Sequence, residues 1–375
     1  MNKRDEIQTQ ALDIAHKYKR CGLGISMGVG KTLIGLKYIK QLQDKNMNKL
    51  NVLVVAPKLA IFESWKDDAK KFNLPQEVID KIEFTTYLSL NKLNPAAYDV
   101  IVLDECHSLL YSHTPFLSIF NGRILGLTGT PPRYDKSEKG EMVGTFCPIV
   151  YKYITDDAVE DNILNDYRII VHKMYLSEEN KLLIELKNKK FYTSERKNYD
   201  YWTQRCADAD SKKEMQITSV MRMRALMDFK TKEIYTKNLL SEIEDKCIVF
   251  ANTQDQADRI CRHSVHSNNP DADINLESFK SGNIDKLSCV LQLNEGINIP
   301  ELKAGIIMHA YGNERKSSQR IGRLLRLNPD ETAMVHILCY KNTVDERWVT
   351  EALKDLDPDK IKYFDVKLPS HEFHR

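Results

Sequence analysis

Short apolar runs alternate with amphipathic stretches from the first residues to about position 150, the pattern of parallel strands crossed by helices. Leu53-Val54-Val55-Ala56 and Val100-Ile101-Val102-Leu103 are apolar at every position rather than every second one. This predicts central strands of a sheet covered on both faces. Ile124-Leu125-Gly126-Leu127 predicts a third strand. All three run into polar or Gly/Pro residues, and in open α/β sheets ligands gather at the carboxyl ends of strands. Between about 178 and 240 the sequence becomes long, charged and helix-favouring, which predicts a helical insertion. Strand-like runs return at Cys247-Ile248-Val249-Phe250, Cys289-Val290-Leu291, Ala304 to Met308 and Ala333 to Leu338, so a second α/β unit follows. No repeat at a solenoid period is present.

The chain has 375 residues, 55 Lys+Arg against 53 Asp+Glu, with 42% hydrophobic and 29% charged content, which excludes disorder over most of its length. Two domains fit at roughly 100 to 200 residues each. A net charge of +2 means that any basic patch is local. No apolar run reaches the roughly 18 residues of a membrane span, and the polar start Met1-Asn2-Lys3-Arg4-Asp5 does not resemble a signal peptide. A cytoplasmic location, in the host cytoplasm if the source is viral, is the expectation. The 8 cysteines show no CxxC pair and no neighbouring His at ligand spacing, so they are expected as reduced thiols.

Met27-Gly28-Val29-Gly30-Lys31-Thr32, followed by helix-like sequence, matches the end of a phosphate-binding loop. The glycines let backbone N–H groups curl around phosphates, Lys31 reaches the β/γ-phosphates and Thr32 ligates magnesium. The full pattern has Gly where this chain has Ile25. A Gly-rich turn that merely precedes a lysine is the competing explanation. At the end of the strand Val100 to Leu103 stands Asp104-Glu105-Cys106-His107. Asp104 is the candidate metal carboxylate and Glu105 the candidate catalytic base. An exposed acidic turn is the alternative, weakened by the apolar strand before it and the phosphate loop upstream. Leu127-Thr128-Gly129-Thr130-Pro131-Pro132 closes the third strand with hydroxyls near the phosphates, or is simply a Thr/Pro turn. Far downstream, Gln319-Arg320-Ile321-Gly322-Arg323-Leu324-Leu325-Arg326 puts Arg323 and Arg326 on one helical face. Guanidinium groups suit a γ-phosphate transition state, against the plainer alternative of a solvated basic face.

With these four segments in this order, the chain resembles a superfamily 2 helicase or translocase of the DExH type, close to phage branch-migration helicases and Swi/Snf-like DNA translocases. The resemblance runs from about residue 4 to 348. It implies two tandem RecA-like parallel-sheet domains, residues 1–155 and 156–367, with the insertion of about 178–240 at the start of the second and a tail at 368–375. It implies ATP and Mg2+ as cofactors, with ATP in the cleft between the domains. Gly28 to Thr32 is then motif I, Asp104 to His107 motif II, Thr128 and Thr130 the coupling motif III, and Gln319 to Arg326 motif VI. Gln8, within Arg4 to Ala11, resembles the Gln that reads adenine. Asn294-Glu295-Gly296-Ile297-Asn298 resembles motif V, with Gly296 and Asn298 near the nucleotide and Asn where the family often has Asp.

Val55-Ala56-Pro57-Lys58 with Trp65-Lys66-Asp67-Asp68, and Thr85-Thr86-Tyr87, resemble motifs that line a strand-binding groove, which makes Pro57, Lys58, Thr86 and Tyr87 candidate nucleic-acid contacts. Thr343-Val344-Asp345-Glu346-Arg347-Trp348 resembles a closing segment of Swi/Snf-like second domains. In the insertion, Lys190, Arg196, Lys197 and Trp202 belong to a run that interleaves cations with aromatics, as strand-tracking surfaces do. A helical hairpin burying its own aromatics is the alternative. The resemblance implies a DNA motor, with DNA favoured over RNA, acting as a monomer in replication, recombination or repair. An ATP-regulated nucleic-acid clamp, an RNA helicase of weak unwinding and a metabolic P-loop kinase are the competing functions, the last leaving the second unit unexplained.

Overall fold

In the computed structural model the described residues are 2–26, 28–132, 134–186, 189–290, 299, 301–310, 332–354 and 356–366. They form two compact units that meet at Asn165 and Asp166, ten residues beyond the expected boundary at 155/156. The displacement has a simple cause. The short helix Thr155–Glu160 and the residues after it pack on the first unit, whose core includes Ala158 and Leu164.

The first unit is built on helix α1 (Lys3–His16) and strand β1 (Arg20–Ile25), followed by α2 (Lys31–Lys45), β2 (Val52–Ala56) and α3 (Ala60–Lys71). Strands β3 (Ile82–Thr86), β4 (Val100–Asp104), β5 (Arg123–Thr128) and β6 (Ile149–Tyr153) complete it. The sheet order is β3-β2-β4-β5-β1-β6, with every neighbouring pair parallel. Strands β2 and β4 are buried at all five positions, because both faces of a central parallel strand are covered. Parallel alignment sends the carboxyl ends of β1 to β5 to one edge of the sheet. At that edge lie the phosphate loop, Pro57-Lys58, Thr86-Tyr87, Asp104-Glu105 and Thr128 to Thr130.

The second unit has strands β7 (Tyr167–Met174), β8 (Leu182–Leu186), β9 (Lys189–Thr193), β10 (Cys247–Ala251), β11 (Ser264–Val265), β12 (Lys286–Val290), β13 (Ala304–Ile307), β14 (Ala333–Tyr340) and β15 (Ile361–Asp365). Seven form a parallel sheet in the order β11-β12-β10-β13-β14-β7-β15. The predicted helical insertion is corrected at its start. Strands β8 and β9 pair antiparallel, with Leu183 facing Tyr192 and Ile184 facing Phe191. Their aromatic and branched residues favour a pleated strand over a helix. The rest is helical, over Glu195–Ala207, Lys212–Asp228 and Lys230–Glu242. Ser194 and Ser211 start the first two by accepting the backbone N–H groups of Lys197 and Glu214.

An ammonium group is fully buried in this unit. Lys232, at 0% side-chain exposure, donates to the Met308 carbonyl at the end of β13 (3.0 Å) and to Asp345 Oδ2, and its Nζ lies 4.9 Å from the Tyr340 ring centroid. Asp345 Oδ2 also accepts the Tyr340 backbone N–H at 3.0 Å. The pair thereby pins the carboxyl ends of β13 and β14 to the helix Val344–Leu353, whose start Thr343 caps.

Two buried imidazoles make the stability of this unit pH-dependent. His172 Nε2 and His336 Nδ1 are 2.9 Å apart, and His172 Nδ1 is 2.8 Å from the Tyr235 hydroxyl. Burial pushes both down to about 4, and the neighbouring His336 charge lowers His172 further. An unfolded histidine takes its proton near about 6.5, so between those values the unfolded chain binds more protons and stability rises with pH. Acidification from pH 7 to 5 is expected to cost about 2 kcal/mol for each imidazole. Denaturant unfolding of the native chain and of His336→Gln at both pH values checks this. Equal losses in the two proteins would remove the pair as the cause.

Candidate active site

The phosphate loop hangs between β1 and α2. Ile25, which replaces the first glycine of the loop pattern, is the last residue of β1 and fully buried, so its side chain serves the core and stays out of the loop. Gly28 and Gly30 adopt φ of 86° and 98°. These left-handed values favour residues without a Cβ. At Gly30 a Cβ would also come within 2.8 Å of Gln8 Nε2. Lys31 and Thr32 are the first two residues of α2, half-buried, with the helix N-terminus behind them. Met27 lies outside the described residues.

Helix α1 braces the loop from below. Gln8, 1% exposed, donates through Nε2 to the Val29 carbonyl (2.8 Å) and accepts at Oε1 from Lys37 Nζ (3.0 Å). Arg4 donates to the Gly28 carbonyl. The residue expected to read adenine thus ties the phosphate loop, through its Nε2, to helix α2, through its Oε1, a role its spacing did not reveal.

Two strands away in the same sheet, Asp104 ends β4 and is 7% exposed. Its Oδ2 accepts the indole N–H of Trp65 at 2.8 Å, and its Oδ1 accepts the Glu105 backbone N–H at 3.0 Å. Its carbonyl accepts the Tyr87 hydroxyl at 2.9 Å. Glu105 sits at φ 50°, ψ 52°, a left-handed conformation costing roughly 1–2 kcal/mol for a residue with a side chain. That turn brings its carboxylate to His107, with Oε2 3.2 Å from Nδ1. The same Nδ1 lies 2.7 Å from Thr128 Oγ1 and 3.4 Å from Thr130 Oγ1, and Thr128 Oγ1 accepts the Thr130 backbone N–H at 3.1 Å. A polar chain therefore runs from Glu105 through His107 to Thr128 and Thr130 at the end of β5.

The oxygen donors here, the Asp104 carboxylate and the Thr32 hydroxyl, suit a hard divalent cation such as Mg2+. The fit rests on the chemistry of this donor set: an oxygen-only carboxylate held in place by the Trp65 indole and the Glu105 backbone N–H, with a hydroxyl at the start of α2.

Among the expected nucleic-acid contacts, Lys58 is exposed and Pro57 and Thr86 are half-buried at the same sheet edge. Tyr87 is corrected: it is 6% exposed, its hydroxyl bound to the Asp104 carbonyl, so it supports motif II from inside instead of lining a groove. In the second unit Lys190 is exposed on β9 and pairs with Glu185 at 2.6 Å. Arg196 reaches Glu178 and Asp200, and Lys197 donates to Asn180 Oδ1 at 3.4 Å. Trp202 is half-buried with its ring edge on the 57% exposed Tyr201. Gly296, Asn298, Gln319, Arg323 and Arg326 lie outside the described residues.

The profile of the family described as "Type III restriction enzyme, res subunit" matches residues 3–133, and that of the "Helicase conserved C-terminal domain" matches residues 230–328. The "DNA 3'-5' translocase XPB2" of Sulfurisphaera tokodaii is 25% identical over 388 residues, covering 91% of this chain and 82% of that protein. Among solved structures, the chain superposes on an "ATP-dependent Type ISP restriction-modification enzyme LlaBIII bound to DNA" with TM-score 0.64 and 14% identity. That match covers 97% of this chain but 31% of the other, so the chain spans about a third of it. The helicase domain of Hef from Pyrococcus furiosus gives TM-score 0.50 and 16% identity over 93% of this chain and 97% of that one. Both likenesses concern the fold: two parallel-sheet α/β domains in tandem.

Proposed function

We propose that this chain, which belongs to the superfamily 2 helicases and translocases and is an ATP-hydrolysing enzyme, spends ATP to move along or remodel DNA. The observation that carries the proposal is the shared edge of the first sheet, where the phosphate loop, Asp104-Glu105 and Thr128 to Thr130 stand together and the last two are joined through His107. In this proposal the loop N–H groups and Lys31 hold the β/γ-phosphates, and Asp104 with Thr32 holds Mg2+. The cation would neutralise charge building on the phosphates. Glu105 accepts a proton from the attacking water, and His107, whose Nδ1 lies 3.2 Å from the Glu105 carboxylate, passes the change of charge to Thr128 and Thr130. Gln319, Arg323 and Arg326 are proposed for coupling and transition-state charge on the strength of the motif they spell alone.

DNA is proposed as the track because the translocase relative, by its name, acts on DNA. Work at branched DNA during replication, recombination or repair is the finer proposal. Steady-state ATP hydrolysis is expected to rise at least tenfold with one of single-stranded, duplex or forked DNA, measured at a fixed salt concentration. Stimulation by single-stranded RNA alone would replace the track. Equal slow turnover on every polynucleotide would favour an ATP-regulated clamp.

A further inference from the structure

Trp65 belongs to no step described so far, yet it is fully buried and its indole N–H points at Asp104 Oδ2 from 2.8 Å. Space for the ring is reserved by the phosphate-loop helix. A Cβ at Gly35, one turn after Lys31 in α2, would fall 2.5 Å from Trp65 Cη2, so only glycine lets the indole lie against that helix. The ring is thus held between α2 and β4, on α3. A carboxylate that must bind a cation gains from a donor that fixes its direction without cancelling its charge. A lysine or arginine here would hold the oxygen equally well but neutralise it toward the metal. An indole N–H carries no charge and donates once, so it fixes Oδ2 without neutralising the carboxylate.

We infer that Trp65 is a positioning residue for the metal site: its indole N–H aims the Asp104 carboxylate at Mg2+. The inference rests on the assignment of Asp104 as the metal carboxylate, and the experiment separates the two. Binding of a fluorescent ADP, the N-methylanthraniloyl derivative, is followed on the full chain as Mg2+ is varied. Trp65→Phe, which keeps a ring and loses the donor, is expected to raise the half-saturating Mg2+ concentration about tenfold. Its affinity for the same nucleotide in EDTA is expected to match the native chain, which a merely structural defect would not allow. Asp104→Asn is expected to bind the nucleotide with no Mg2+ dependence. If Asp104→Asn behaves so and Trp65→Phe follows the native Mg2+ curve, the role of Trp65 is overturned alone. If Asp104→Asn also keeps the native curve, the metal assignment falls and takes the inference with it.

A second measurement stands even where Trp65→Phe does not fold. The chain has 3 tryptophans. Their indole N–H resonances are assigned through Trp202→Phe and Trp348→Phe, leaving that of Trp65. Adding Mg2+ to the ADP-bound chain is expected to shift the Trp65 resonance and leave the other two in place. An unmoved Trp65 resonance at saturating Mg2+ would overturn the inference.

Discussion

Glu105→Gln is expected to lower the ATP turnover number by roughly a hundred- to ten-thousand-fold, the span usual for loss of a general base, while nucleotide binding stays near native. Gln has the same shape and still accepts a hydrogen bond through its amide oxygen, but takes no proton at neutral pH. The backbone at this residue is left-handed, and the strain of holding it there is tolerated in a turn where the carboxylate reaches His107 at 3.2 Å. The substitution therefore removes the proton acceptor and leaves the turn. Because His107 Nδ1 also lies 2.7 Å from Thr128 Oγ1, DNA stimulation of the residual activity is expected to weaken too. Single-turnover hydrolysis with and without DNA measures both. A turnover number within twofold of native would remove Glu105 as the base.

Asp345→Ala is expected to destabilise the second unit by about 3–5 kcal/mol, the usual cost of leaving one member of a buried pair uncompensated. Lys232 would then be an ammonium at 0% exposure with, among the described residues, the Met308 carbonyl and nearby His309 Nδ1 as polar partners, and the Tyr340 N–H would lose its Asp345 acceptor. Burial already pushes the Asp345 carboxyl above its usual range, and the ammonium beside it pulls the other way. Removing both charges changes the sign of the argument. Lys232→Met combined with Asp345→Leu is expected to recover most of the loss, because a packed apolar pair replaces a desolvated ionic one. Urea unfolding of the three proteins decides the matter. A single variant as stable as the native chain would mean that water reaches Lys232.

Sequence and structure agree where the chemistry is local. Val100 to Leu103 reads as a central strand because a strand buried on both faces has no polar face to keep, and β4 is buried throughout. Gly28, Gly30, Lys31 and Thr32 are legible because a loop that wraps phosphates requires positive φ and a helix start, and both are present. The β8-β9 pair was not legible, since its charged residues average out with the helices that follow. Pattern alone sees period and composition, and two short strands offer too few residues of either.

The partners of motif residues lay beyond the reach of sequence for a different reason. Gln8, which spells the adenine reader, also binds Val29 and Lys37, Tyr87 spells a groove residue but supports Asp104, and Trp65 belongs to a segment that spells a groove motif but hydrogen-bonds a carboxylate 39 positions away. By itself the sequence determined the two α/β units, the phosphate loop and the acidic pair, because each depends on residues close together in the chain. Tertiary structure alone decided which side chains aim and couple those groups. Hydrogen bonds act over about 3 Å, and only the parallel stacking of β2, β4, β5 and β1 brings distant segments to one edge within that range.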